Sequence, residues 1–216
     1  MPTSSPADRR TRNFAIAAAA VVLLGLTLGA AYVWLRAPTD RFAQCRASVI
    51  AGGAGAIGGP FALTDLATGR TIPDSEIFAR PGFLYFGYTF CPDVCPFDTV
   101  RNAEAAELLA ERGHDVASVF VSVDPARDTP EVLADFAANI SPRMIALSGT
   151  PDEVRAAAQA YRVYYKAQPA KDDYYLVDHS TFTYLVLPGY GFVEFFRRET
   201  SAEAMADAAA CFLEAM

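Results

Sequence analysis

Apolar and polar positions follow three different rhythms along the chain. Residues 14–35, FAIAAAAVVLLGLTLGAAYVWL, carry no charge. About 20 such residues, rising about 1.5 Å each, cross a hydrocarbon core of about 30 Å, so this stretch predicts a transmembrane helix. From Ala51 to Phe61 the small-residue run AGGAGAIGGPF has no sustained period and reads as a linker. Beyond it the punctuation becomes regular. FALTD predicts a short strand, ATGR a turn, and PGFLYFGYTF (81–90) a buried strand. TVRNAEAAELLAER, after CPDVCP, predicts a helix that Gly113 ends. VASVFVSVD has the β-branched content of a buried parallel strand, and a helix opens at Thr129 with Pro130 in its first position. MIALSG predicts a short edge strand, and TPDE (150–153) a capping box that opens a helix through Tyr161. TFTYLVLP and FVEFFRRE flank Gly-Tyr-Gly as a hairpin, and Ser201 caps a helix over 201–215. Residues 164–177 take no predicted element.

Strands alternating with helices, followed by a hairpin and a last helix, predict an α/β protein. The fold is thioredoxin-like, a central mixed sheet flanked by helices, with one N-terminal transmembrane helix in addition. The organisation expected is a cytoplasmic arm over 1–13, an anchor over 14–35, a linker over 36–60 and the thioredoxin-like domain over 61–216. The arm holds Asp8, Arg9, Arg10 and Arg12, and Tyr32 and Trp34 stand at the far end of the apolar run. By the positive-inside rule the N-terminus is cytoplasmic and the globular domain lies on the outer side, periplasmic or intermembrane-space. A cleaved signal peptide, with Gly29 and Ala31 at the cut, is the competing reading; the length of the run and its interfacial aromatics favour retention. Apolar residues make up 52% of the chain, and its formal charge is −7. The arm contributes +2 to that balance, so the remainder carries −9 and has no cationic cluster to bind nucleic acid.

Four cysteines in an exported domain must each be weighed as disulfide partner, ligand or redox thiol. Cys91 and Cys95 follow a strand and open a helix, where free N–H groups and the helix dipole favour thiolates. Three intervening residues place the sulfurs about one helical turn apart and leave room for an ion; an inert disulfide is the alternative. Of two histidines, His114 follows a helix end and reads as a solvated loop residue. His179 stands just before the hairpin, where thioredoxin-like proteins place a cis-proline against their active cysteines. An imidazole there joins two thiolates, unless it is a buried or capping histidine. Such a set suits copper(I), also admits zinc, and takes copper(II) if a further ligand completes the shell. Asp178 either orients that imidazole or accepts backbone hydrogen bonds.

IGGPFALTD, YFGYTFCPDVCP, VSVDPARDTP, LSGTPDEV and DYYLVDHSTFTYLV occur in order over residues 57–215. With these motifs the sequence resembles the Sco/SenC family of membrane-anchored copper proteins that assist assembly of cytochrome c oxidase. The resemblance implies copper carried by Cys91, Cys95 and His179, and delivery to the CuA site of oxidase subunit II. Phe97, Asp98 and the turn PGYGF depart from the common pattern and bear on docking rather than on the ligands. The same dithiol also supports a thiol–disulfide oxidoreductase that reduces the CuA cysteines. A peroxidase fits less well, because YTFCPDVCP lacks the P-x-x-x-T/S-x-x-C arrangement that positions a peroxidatic cysteine.

In SVDPARDTP a structural role is expected: Asp124 ends a strand, Arg127 pairs with a neighbouring acid and Thr129 caps a helix. Tyr161, Tyr164, Tyr165, Tyr174 and Tyr175 read as a surface loop packed on the core, or as part of a docking face. For Cys45 and Cys211 two readings stand. They form a disulfide tying the linker to the last helix, or Cys211 is a small core residue and Cys45 a free thiol.

Overall fold

A computed structural model describes residues 6–36, 40–48, 53–169 and 174–216. Two compact units divide the chain, residues 1–41 and 42–216. The first contains helix α1 (Pro6–Arg36), in which Arg12–Tyr32 is long and apolar enough to cross a membrane. Phe14, Leu24 and Leu28 are all exposed, so the helix is apolar all round and buries nothing of its own. Its Thr27 hydroxyl donates back to the carbonyls of Leu23 and Leu24, one turn earlier in the helix. The side chains of Asp8, Arg9, Arg10 and Trp34 lie outside the described residues, as do 37–39 and 49–52 of the expected linker.

The second unit is built on β1 (Ala62–Asp65), β2 (Arg70–Pro73), β3 (Gly82–Gly87), β4 (Ala117–Ser122), β5 (Met144–Ser148), β6 (Tyr165–Ala167), β7 (Val177–His179), β8 (Thr183–Leu187) and β9 (Gly191–Phe196). Its helices are α2 (Asp74–Ile77), α3 (Val94–Glu111), α4 (Pro130–Ile140), α5 (Pro151–Ala160) and α6 (Ala202–Glu214). Seven strands form one mixed sheet in the order β2-β1-β5-β4-β3-β8-β9, parallel across β3-β4-β5 and antiparallel elsewhere. Every residue of β3 and β4 is buried, which is why both read as continuous apolar runs rather than alternations. One face packs Leu84, Phe86 and Phe120 against Leu133, Val154 and Tyr161. The other packs Phe83 and Leu185 against Leu109, Met205 and Phe212, on α3 and α6.

Three expected helix starts hold, whereas α3 begins at Val94, inside CPDVCP rather than after it. Thr129 Oγ1 accepts from Val132 N, Ser201 Oγ from Ala204 N, and Thr150 and Glu153 close a reciprocal capping box. Gly189 and Gly191 both take positive φ, the conformation a tight turn between β8 and β9 requires.

Two expectations are corrected. β5 is not an edge strand: β1 pairs with it at Thr64↔Ser148 and Asp65↔Leu147, and β2 is the edge instead. Residues 164–177 are not bare of structure either, since β6 and β7 form a separate two-stranded sheet; 170–173 lie outside the described residues.

Much of the stretch read as linker is fastened to the domain. Gly58 N donates to Ala160 O at 2.8 Å and Arg162 Nε to Ala56 O at 2.7 Å. Phe42 is buried with its ring against Tyr190 and Phe212. Cys45 and Cys211 are joined by a disulfide, with Cα atoms 5.6 Å apart. Beside it, the buried Glu194 carboxylate accepts from Ala47 N at 2.9 Å and from the Ser48 hydroxyl.

Candidate metal centre

β3 ends at Gly87, and the chain turns through Tyr88–Asp93 into α3. Gly87 is required here: a Cβ at this position would lie 2.9 Å from Cys95 Sγ and 3.0 Å from the Phe120 ring. Asp93, at the N-cap, makes no side-chain cap. Cys91 takes over that function, its Sγ accepting from Cys95 N at 3.3 Å. A first-turn N–H that would otherwise lack a partner thus stabilises negative charge on sulfur.

His179 comes from the other side of the site, at the end of β7, where it pairs with Tyr165 of β6. Its Nδ1 lies 2.9 Å from Ser180 O and can bond that carbonyl only by donating, which leaves the Nε2 lone pair pointing at the sulfurs. Nε2 is 3.3 Å from Cys95 Sγ. The imidazole stands edge-on between Tyr85 and Tyr88, ring centroids 6.1 and 5.7 Å away. Asp178, considered as the orienting group, instead accepts from Gln168 Nε2 at 2.7 Å; the Ser180 carbonyl orients the ring.

The three donor atoms of Cys91, Cys95 and His179 all lie within 4.8 Å of one another. Both cysteines are free thiols and buried, and His179 is half-buried. The sulfurs share a proton unequally. The Cys95 thiol donating to it, helped by backbone N–H groups of Cys95 and Asp93, holds the Cys91 pKa well below the usual thiol range despite burial. The same hydrogen bond, followed by burial, pushes Cys95 up. Beneath Cys95 the Tyr85 hydroxyl, raised chiefly by burial, donates to Asp98 Oδ2 at 3.1 Å. Burial also raises the Asp98 carboxyl, although Arg101 at 3.4 Å opposes the shift. Two buried sulfurs and one half-buried imidazole converge, a donor set that fits a soft cation.

Other residues singled out in the sequence lie apart from this cluster. His114 sits beyond the C-terminus of α3, its backbone N–H on Leu109 O. Phe97 is 70% exposed on the first turn of α3. Among the tyrosines, Tyr161 belongs to the core, Tyr164 and Tyr174 are exposed, and Tyr175 donates its hydroxyl to Asp124 Oδ1 at 2.7 Å. Gly87, Tyr85 and Tyr88 escaped the sequence reading as parts of the site. They look like ordinary strand residues until the helix and the distant histidine are folded against them.

A protein-family model described as SCO1/SenC matches residues 51–214. Protein SenC of Rhodobacter capsulatus is 49% identical over 207 residues, covering 95% of this chain and 92% of that one. Protein SCO1 homolog 1, mitochondrial, of Arabidopsis thaliana is 38% identical over 156 residues, covering 72% of this chain and 46% of its own, so the chain spans about half that relative's length. The crystal structure of Arabidopsis thaliana ScoI with copper bound superposes with a TM-score of 0.71 at 36% identity, over 74% of this chain and 100% of that chain.

Proposed function

The chain belongs to the SCO1/SenC family, and from that premise we propose that it is a membrane-anchored copper chaperone that assists assembly of the CuA site of cytochrome c oxidase. Cys91, Cys95 and His179 hold the copper, which is cargo rather than a resident cofactor. The observation that carries this reading is the convergence of the three donors within 4.8 Å, in a fold that a copper-bound relative shares. Two sulfurs and one imidazole match the preference of copper(I) for few, soft ligands, and such a site can pass the ion to an acceptor by exchanging one ligand at a time. The anchor is α1, with the arginine-bearing arm in the cytoplasm and the copper domain outside. The recipient is oxidase subunit II.

A second reading rests on the proton shared by two free thiols. As a reductant, the Cys91 thiolate attacks a partner disulfide and Cys95 resolves the mixed disulfide. Two electrons pass to the partner, its dithiol leaves, and a Cys91–Cys95 disulfide remains.

A deletion strain separates the two. The chaperone reading expects oxidase activity to return with the wild-type gene and to stay absent with His179→Ala, which keeps both thiols. Full restoration by His179→Ala contradicts it and favours reduction. A reporter fused after residue 216 is expected to be active outside the cytoplasm, and activity inside would reverse the topology.

A further inference from the structure

The loop between β4 and α4 contributes no donor to the metal centre, yet it touches both segments that do. Arg127 is the contact. Its Nε donates to Asp124 Oδ2 at 2.6 Å, and one Nη donates to Tyr175 O at 2.8 Å, four residues before His179. The guanidinium carbon lies over the Tyr175 ring, 3.5 Å from its centroid. It also lies over the rings of Phe90, 4.9 Å away, and Tyr88, 5.8 Å away, residues of the segment leading into Cys91. Tyr88 in turn stands edge-on to His179. Tyr175 closes the ring of contacts by donating its hydroxyl to Asp124 Oδ1 at 2.7 Å. The remaining Nη2 is buried and has no hydrogen-bond acceptor among the described residues, so the cation is placed among aromatic faces at the cost of one bond.

The neighbouring acid fixes the cysteine loop from below. Asp128 is buried and accepts from Thr89 N at 3.1 Å, Thr89 Oγ1 at 2.5 Å and Ser122 Oγ at 2.5 Å. The loop before Cys91 is thus bolted to β4 by Asp128, while the segment before His179 is held to the same short loop by Arg127. Sequence distance makes this arrangement informative: Asp128 lies 39 residues from Thr89, and Arg127 48 from Tyr175.

We propose that Arg127 is a positioning residue for copper: it clasps the cysteine loop to the histidine strand and so sets whether His179 joins the two sulfurs as a third ligand. The proposal rests on the copper reading above. Lysine replaces arginine here only in part, because its point charge lacks the planar fork that bonds Asp124 and Tyr175 O while stacking on an aromatic ring.

The test uses the full-length protein in detergent, reduced and titrated anaerobically with copper(I) against a competing chelator, with copper X-ray absorption as a second readout. Arg127→Ala is expected to weaken binding by about tenfold or more and to remove the nitrogen scatterer, with Arg127→Lys between it and wild type. Added to His179→Ala, it should cause no further loss, because its effect passes through the imidazole. Wild-type affinity and nitrogen ligation in Arg127→Ala overturn the clasp, as does an equal additional loss in the His179→Ala background. Should Arg127→Ala fail to fold, Tyr175→Phe removes a single hydroxyl and is expected to shift affinity in the same direction; no shift overturns the proposal. Absence of a nitrogen ligand in the wild-type protein overturns the copper reading itself.

Discussion

Cys45 and Cys211 stand 166 residues apart and are joined, whereas Cys91 and Cys95, four apart, remain thiols within reach of each other. Proximity in sequence therefore does not decide which pair is bridged. The bridged sulfurs lie between the turn that follows α1 in sequence and α6, where packing and the Glu194 contacts hold the strap. The free pair opens α3, where a helix N–H stabilises one sulfur as a thiolate and His179 supplies a third donor. One pair restrains the chain and the other remains available for chemistry.

Serine placed in the free pair and in the bridged pair should give opposite results, and this is the largest effect expected. Cys95→Ser removes a ligand while leaving a residue of nearly the same size in the core, so copper(I) affinity should fall by orders of magnitude with thermal unfolding little changed. Copper retained at wild-type affinity would break the comparison. The double variant Cys45→Ser/Cys211→Ser should keep one copper per chain and lose stability, by up to about 5 kcal/mol for a loop of more than 100 residues in the chain-entropy model. An unchanged denaturant midpoint would show that the strap restrains nothing.

Smaller changes sharpen the same contrast. Glu194→Ala leaves the Ala47 and Ser48 groups without their acceptor, and a loss of about 1–3 kcal/mol is expected by chemical denaturation, with copper binding intact. The finest difference is one charge. Cys91 is shifted down and Cys95 up, so the metal-free chain should show one thiolate in ultraviolet absorbance between about pH 6 and about pH 9, around the ordinary thiol value of about 8.5. Because the folded Cys91 pKa is depressed, its contribution to stability is complete above about pH 8.5 and declines as pH falls toward the lowered value. Two thiolates at the upper end of that range, or none at the lower, would contradict the shared proton.

What the sequence disclosed follows from how far each signal extends. β3 and β4 are buried on both faces and announce themselves as apolar runs, and Thr150 and Glu153 form their capping box within four residues. β2, RTIP, buries one residue of four and carries no such run, so its hairpin with β1 was missed and β5 was wrongly expected at the edge. β6 and β7 are three residues each and largely unburied, too short for any period to register. At the candidate metal centre the three donors stand out as residue types with known chemistry. Their supports do not: the Ser180 carbonyl is a backbone group, and Arg127, Asp128 and Tyr175 meet across dozens of residues. Adjacency to His179 in sequence does not decide the role of Asp178: of the two readings left open, orienting the ring falls instead to the Ser180 carbonyl, and Asp178 accepts from Gln168.

The central claim is that Cys91, Cys95 and His179 together make one copper centre. Anaerobic copper(I) titration of the full-length chain against a competing chelator tests it most directly, run beside Cys91→Ser/Cys95→Ser/His179→Ala. The account predicts one tightly held copper per wild-type chain and none in the triple variant, whereas full copper retention in the triple variant would contradict it.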